Sequence, residues 1–336
     1  MKISEEHLAR VEALGYTAEE ARFLYIVATF SGYFVPRQFL SFVGAKWGKR
    51  SDHFIEKLEA RGHVSWREYL EVGGVYHLSS KTLHRTIDKE NLSNRRRHST
   101  DFIRTRLVLL DFVLANQQHH YLETEHDRVA YFSDTLGIPK TALPVKSYPG
   151  PSGADSALRY FVDKFPLFLD RTNNSVPPSV NLSYVDAGEP STAGFTHHLK
   201  TYKQLLVNLA DFQFLYLSNS AVNFPAAERA FGAFATRALT DDPSADLLRY
   251  FTLRARWDKK QYGSFSNDEI EWLNDANGRF RGSEIERLYA AWRSGELAGH
   301  ALRAPMPATR PPRRFRFTPC LVPRGQGTLK ELVRAG

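Results

Sequence analysis

The sequence predicts a chain of mixed class, α+β passing into α/β: three helices closed by a two-stranded ribbon, then an α/β domain, then extra C-terminal helices. Three observations carry this. Apolar residues recur at helical spacing through the first 60 residues and then flank a glycine pair, Gly73-Gly74. The run Phe212-Gln-Phe-Leu-Tyr-Leu217 is apolar on both faces and lies between two helical stretches, as does a strand buried inside a covered sheet. The basic charge is concentrated in two segments that flank a mildly acidic middle.

Taken in order, helices are expected over residues 5–14 and 18–29, and a short one over 36–43, where Pro36 suits a first turn. The next helix, 46–61, places Trp47, Phe54, Ile55 and Leu58 on one face, with Lys49, Asp52, His53 and Glu56 opposite. Val64, Trp66, Leu70 and Val72 approach the Gly73-Gly74 turn, and Val75, Tyr76 and Leu78 leave it, a β-hairpin pattern. Three helices followed by a ribbon is the order of a winged helix-turn-helix, whose third helix enters the major groove. A hydrophilic stretch, 88–100, containing Arg95-Arg96-Arg97, reads as a hinge before an amphipathic helix over 100–116.

The second half alternates. Strands are expected at 119–123, 158–162, 166–170, 180–185 and 212–217, with helices at 127–136, 195–210 and 225–239. A capping box, Ser266-Asn-Asp-Glu269, opens one further helix, and another spans 283–293. The end is rich in Pro and Arg and reads as an extended, solvated arm in which Phe315 and Phe317 alternate with arginines. The expected division is a winged-helix domain (1–90), a basic linker and long helix (91–117), an α/β domain (118–240), a helical extension (241–299) and a basic tail (300–336).

Charge narrows the functional class. Residues 37–106 hold 15 basic and 8 acidic side chains, and residues 300–336 hold 8 and 1. A chain with +8 overall and such a distribution suits a polyanionic partner. Double-stranded DNA is the expected one, met by Lys46, Lys49, Arg50, Ser51, His53 and Lys57 on the third helix, Arg67 on the wing and Arg95, Arg96 and Arg97 beside it. A two-fold homodimer would read an inverted repeat. No apolar run approaches the roughly 18 residues of a membrane span, so no membrane partner is expected. The opening MKISEEHLARVEALG lacks a secretory h-region, and one cysteine, Cys320, precludes an internal disulfide. Both features lead to a cytoplasmic expectation.

The strings FIEKLEARGHVSW, VYHLSSKTLH and HSTDFIRTRLVLLDFVLA, in that order around a basic linker, resemble the plasmid replication-relaxation family over roughly residues 18–234. The resemblance implies DNA binding in the replication, transfer or regulation of a mobile element. It also implies an α/β half like a restriction endonuclease whose catalytic set has eroded. A working centre of that type needs one acid on a strand and an acid-x-Lys triplet on the next, holding Mg²⁺. Asp170 and Asp186 are the candidate acids, with Lys200 or Lys203 supplying the lysine and Glu123 joining them. The triplet here reads Asp186-Ala187-Gly188, without lysine. The expectation is therefore a regulator or replication accessory without catalysis or cofactor, with a Mg-dependent endonuclease, or an interaction scaffold, as the alternatives. The pairs His119-His120 and His197-His198 are adjacent and neither chelates alone; no metal site is expected. No GxxxxGK[ST] or G-x-S-x-G string is present.

Overall fold

The computed structural model describes residues 1, 3–46, 48–69, 73–149, 156–170, 178–239, 243–301 and 314–323. The fold is mixed α and β. The chain divides into two compact units. The first comprises Met1–Phe234 together with the strand that begins at Arg314, and the second is Ala235–Arg313.

The first unit opens with α1 (Glu5–Glu12) and α2 (Ala18–Ile26). A capping box starts α2: the Glu20 backbone N–H donates to Thr17 Oγ1 and the Thr17 N–H to the Glu20 carboxylate. The helix runs on as a π turn, Val27–Ser31, and stops at Gly32, whose φ of +78° is open to glycine. There follow β1 (Tyr33–Phe34), α3 (Pro36–Phe42), α4 (Lys49–Ala60), β2 (Val64–Tyr69) and β3 (Gly73–Leu78). The three strands form an antiparallel sheet in the order β1-β3-β2. Phe54 and Leu58 of α4 are fully buried, and the Phe54 ring stacks on Phe39 at 4.0 Å and meets Phe23 at 5.8 Å. A buried Phe of this kind contributes roughly 2–3 kcal/mol of apolar transfer.

Three expectations change here. The α4 helix begins at Lys49, so Lys46 precedes it, and Trp47 lies outside the described residues. Gly73 and Gly74 are not the turn: they pair with Tyr69 and Glu68 inside the ladder. At Gly74 a Cβ would stand 2.7 Å from the Trp66 indole nitrogen, so any larger residue would displace the indole. The hydrophilic stretch before residue 100 is not a hinge. After α5 (Lys81–Thr86), Asn94 is fully buried and donates to the carbonyls of Ala28 and Thr29, while His77 bonds the Asn94 carbonyl and the Tyr33 hydroxyl donates to Arg96 O. These polar groups bond backbone carbonyls inside the protein, so their polarity does not mean exposure.

The helix α6 (Thr100–Ala115), expected to be amphipathic, is instead buried nearly all round from Arg106 to Val113, and it ties this region to the sheet that follows. One apolar core runs from Val27 and Phe30 through Val108, Leu109 and Phe112 to Val185, Leu215 and Leu217. The buried Arg106 guanidinium reinforces the tie, donating to the carbonyls of Phe30, Asp163 and Lys164. Residues 1–90 and the sheet therefore share one core rather than forming the separate domains expected.

Next come β4 (His120–Tyr121), α7 (Glu125–Ala130) with a π turn to Thr135, an exposed ribbon of β5 (Val145–Pro149) and β6 (Ser156–Tyr160), β7 (Phe168–Asp170), β8 (Ser179–Asp186), α8 (Ala193–Asn208), β9 (Asp211–Ser218) and α9 (Phe224–Ala238). The central sheet has the order β10-β9-β8-β7-β4, where β10 is Arg314–Leu321. Strands β8, β9 and β10 are parallel; β7 is antiparallel to β8 and β4 to β7. Alternate β9 side chains cover both faces. Phe214 and Tyr216 meet Phe195 of α8, and Phe214 meets Phe231 of α9, while Leu215 and Leu217 join the α6 side. The expected solvated arm is thus in part an edge strand: Phe317 stacks on Phe231 at 4.8 Å and Phe315 on Phe212 at 6.0 Å. Pairing with β9 satisfies one side of its backbone, and the alternation half-buries Phe315 and Phe317 while Arg314 and Arg316 stay exposed. Residues 302–313 and 324–336 of that arm lie outside the described residues.

The second unit is helical: α10 (Pro243–Asp258), α11 (Asn267–Arg279) and α12 (Ser283–Ser294). Its own core contains Leu247, Phe251, Leu253, Leu273, Ile285 and Tyr289. The capping box at Ser266 and Glu269 forms as the sequence predicts.

Candidate nucleic-acid interface

The α4 helix turns Phe54, Ile55 and Leu58 inward, which leaves Lys49, Arg50, Asp52, His53, Glu56 and Glu59 exposed. The exposed face carries Lys49 and Arg50 beside Asp52 in its first turn, and Glu56 and Glu59 follow toward the C-terminus. Lys46, just before the helix, is exposed as well, and neither it nor Lys49 makes an ion pair among the described residues. Nothing described covers this turn.

The other expected contacts fare unequally. Arg50 is exposed but bonded to the Glu19 carboxylate of α2. Lys57 donates to Glu20 at 2.6 Å, which closes its charge into the helix packing. His53 faces Glu56 at 3.2 Å. Ser51 is buried and its hydroxyl donates to the Gly48 carbonyl at 3.0 Å, so it starts the helix rather than facing outward. Arg67 is exposed on β2, as are Arg96 and Arg97, whereas Arg95 is half-buried. One residue escapes the sequence reading: Trp66, paired across the ladder with Tyr76, is 52% exposed on the hairpin. Its signal was Gly74, two residues from Tyr76 on β3, which leaves the indole room to lie diagonally across the ladder.

The nuclease candidates do not converge. Asp170 pairs with Ser179 at the start of β8, while Asp186 ends β8 seven residues on, about 23 Å at 3.3 Å per residue. A shared divalent ion would need both carboxylates within about 2.5 Å of it. Asp186 is moreover 1% exposed and occupied: one oxygen accepts from the N–H groups of Gly188 and Glu189 at 2.9 and 2.7 Å, the other from Tyr216 and Asn223 at 2.8 and 3.1 Å. It closes the turn after β8. The residue opposite the β7 end, Ser179, carries no charge. Lys200 and Lys203 are exposed on α8, outside the buried row of Phe195, Leu199 and Tyr202. Glu123 accepts from Tyr25 at 2.7 Å and pairs with Lys89 at 3.2 Å. These residues do not fit a Mg²⁺ centre.

The histidine pairs also separate. His119 stacks on Phe168 at 4.3 Å, and burial lowers its pKa. His198 is buried beside Asp163 at 3.2 Å, whereas His197 is exposed. No group of three His, Cys, Asp or Glu side chains among the described residues is arranged to hold a metal ion. No helix among them is long and apolar enough to cross a membrane.

Comparison of the chain with the profiles of known families, with curated proteins and with solved structures finds no match.

Proposed function

We propose that the chain binds double-stranded DNA through a winged helix made of α2, β1, α3, α4, β2 and β3, with the first turn of α4 in the major groove and the β2–β3 hairpin as the wing. The observation that carries the reading is Lys46 and Lys49, exposed and without an ion pair among the described residues, at the start of a helix whose apolar face is buried. The short strand β1 completing the sheet supports it, because helix-strand-helix-helix-hairpin is the order such modules use. Asp52, Glu56 and Glu59 repel phosphate, so the helix enters by its N-terminal end rather than lying along the groove. Arg67 and Trp66 on the hairpin, and Arg96 and Arg97, supply backbone and groove contacts.

In this reading the α/β half is a restriction-endonuclease-like scaffold without catalysis. The run β7-β8-α8-β9, with β8 parallel to β9 and antiparallel to β7, favours that fold, and the separation of Asp170 from Asp186 disfavours cleavage. The protein then acts by occupancy, as a regulator or as a replication or transfer accessory of a mobile element. A two-fold dimer would place two α4 helices about 34 Å apart on an inverted repeat.

The test is a gel shift across a salt series with the wild-type chain and Lys46→Ala/Lys49→Ala. Loss of two phosphate contacts lowers the salt slope by about 2 and weakens duplex binding roughly uniformly across sequences. An affinity indifferent to salt, or unmoved by the double substitution, overturns the reading. Cleavage of plasmid in Mg²⁺ would restore the endonuclease.

A further inference from the structure

The corner that joins α10 to α11 shows Trp257 and Tyr262, 44% and 51% exposed, with ring centroids 5.0 Å apart and planes at 70°. The corner is firmly built. Lys259, Lys260 and Gln261 donate backbone N–H groups to Ala255, Trp257 and Arg256, and Ser264 and Phe265 donate to Gln261 and Tyr262. Arg256 lies over the Phe265 ring at 4.5 Å and donates to Ser264, and Trp257 meets Phe265 at 5.7 Å. The two exposed rings therefore hold their places without a partner.

Charge selects the partner. The nearby carboxylates are engaged: Asp258 accepts from Tyr289 at 2.6 Å and meets Arg293 at 3.5 Å, and Glu269 pairs with Arg256 at 2.9 Å. Asp268 opens the next helix, where the helix dipole favours it. Lys259 and Lys260 are exposed and make no ion pair among the described residues. Lys260 also sits at φ +58°, the position after a helix that glycine fills at least cost. A lysine held there against backbone preference, next to a second free lysine and two presented rings, suits a ligand with both negative charge and flat faces.

We propose that this corner docks single-stranded nucleic acid, with bases stacking on Trp257 and Tyr262 and phosphates meeting Lys259 and Lys260. Stacking accepts every base and the lysines read only the backbone, so binding is independent of sequence and falls with salt. The site lies within the helical unit and stands apart from the winged-helix reading.

The full chain is titrated into a fluorescein-labelled oligothymidylate of about 20 nucleotides, followed by anisotropy at about 50 and 200 mM salt. Trp257→Ala/Tyr262→Ala weakens binding about tenfold or more, and Lys259→Ala/Lys260→Ala flattens the salt dependence. Lys260→Gly separates binding from folding: it weakens binding while the thermal midpoint holds or rises. Ultraviolet cross-links map to Trp257 or Tyr262. Lys46→Ala/Lys49→Ala leaves strand binding intact even where duplex binding is lost, so failure of the winged helix alone is distinguishable. Absence of strand binding, affinity unmoved by the aromatic substitutions, or binding to anionic vesicles in place of the strand overturns the proposal.

Discussion

Acidification should weaken the fold well before its carboxylates titrate, and His77 is one cause. This side chain is 5% exposed, stacks on Tyr33 at 4.4 Å and bonds the Asn94 carbonyl through Nε2 at 3.1 Å. Burial drives its pKa down from 6.5 to about 4, against the hydrogen bond, which favours the charged form. The native state thus keeps His77 neutral while the unfolded chain takes up a proton below pH 6.5. Its contribution is complete above pH 6.5, is lost as the pH falls from 6.5 to 4, and changes no further below that. The full gap corresponds to about 3 kcal/mol, of which about 2 kcal/mol is lost between pH 7.5 and pH 5. Burial lowers the pKa of His63 and His84 too, so they act with the same sign. Urea denaturation followed by tryptophan fluorescence at pH 7.5, 6.5, 5.5 and 5.0 checks this. In His77→Gln the amide keeps a donor for Asn94, baseline stability drops, and the pH dependence flattens by about 2 kcal/mol. A wild-type profile flat from pH 7.5 to 5, or one equally steep in His77→Gln, would refute the reasoning.

Two other substitutions probe the positions where sequence and structure diverge most. Gly32→Ala places a Cβ 2.3 Å from the Asn94 carbonyl oxygen at a φ of +78°; a loss of about 3 kcal/mol or more in urea denaturation is expected, or failure to accumulate folded protein. Asp186→Ala strips the acceptor from two backbone N–H groups, Tyr216 and Asn223, and is expected to lower stability by about 2–4 kcal/mol, with part of it recovered in Asp186→Asn. Calorimetry of the two variants measures that recovery, and equal midpoints for Asp186→Ala and the wild type would deny Asp186 its structural role.

Much of the helix and strand inventory was legible because burial and periodicity agree there. Phe54, Ile55 and Leu58 are inward at the predicted spacing, Ser266 and Glu269 cap as a pair, and the doubly apolar β9 is an inner strand. What resisted reading has physical causes. The strand β1 is two residues long, too short for a period. The stretch around Asn94 is polar because it feeds backbone carbonyls in the interior, and composition does not distinguish that from solvation. The alternation Arg314-Phe315-Arg316-Phe317 is a strand signal that the neighbouring prolines outweigh on composition. Of the site, the exposure of Lys49 could be found by helical phase, whereas Lys46 precedes the helix. The internal pairing of Arg50 with Glu19 and of Lys57 with Glu20 could not, since it depends on how α2 crosses α4. Asp170 and Asp186 both end strands; only the ladder shows that those ends are opposite ones.

The insertion of the helical unit between α9 and β10 imposes an order on folding. Phe214 and Phe317 are neighbours in the sheet, yet more than a hundred residues separate them along the chain. During synthesis β9 emerges from the ribosome long before its outer neighbour, so its hydrogen-bonding rim waits bare while the three helices are made. That interval is the exposed moment of biogenesis, when a chaperone, or another nascent chain, competes for the rim. Closure of the loop spanning α10 to α12 ends the competition, and a helical unit that folds promptly on its own shortens it by bringing the two strands within reach.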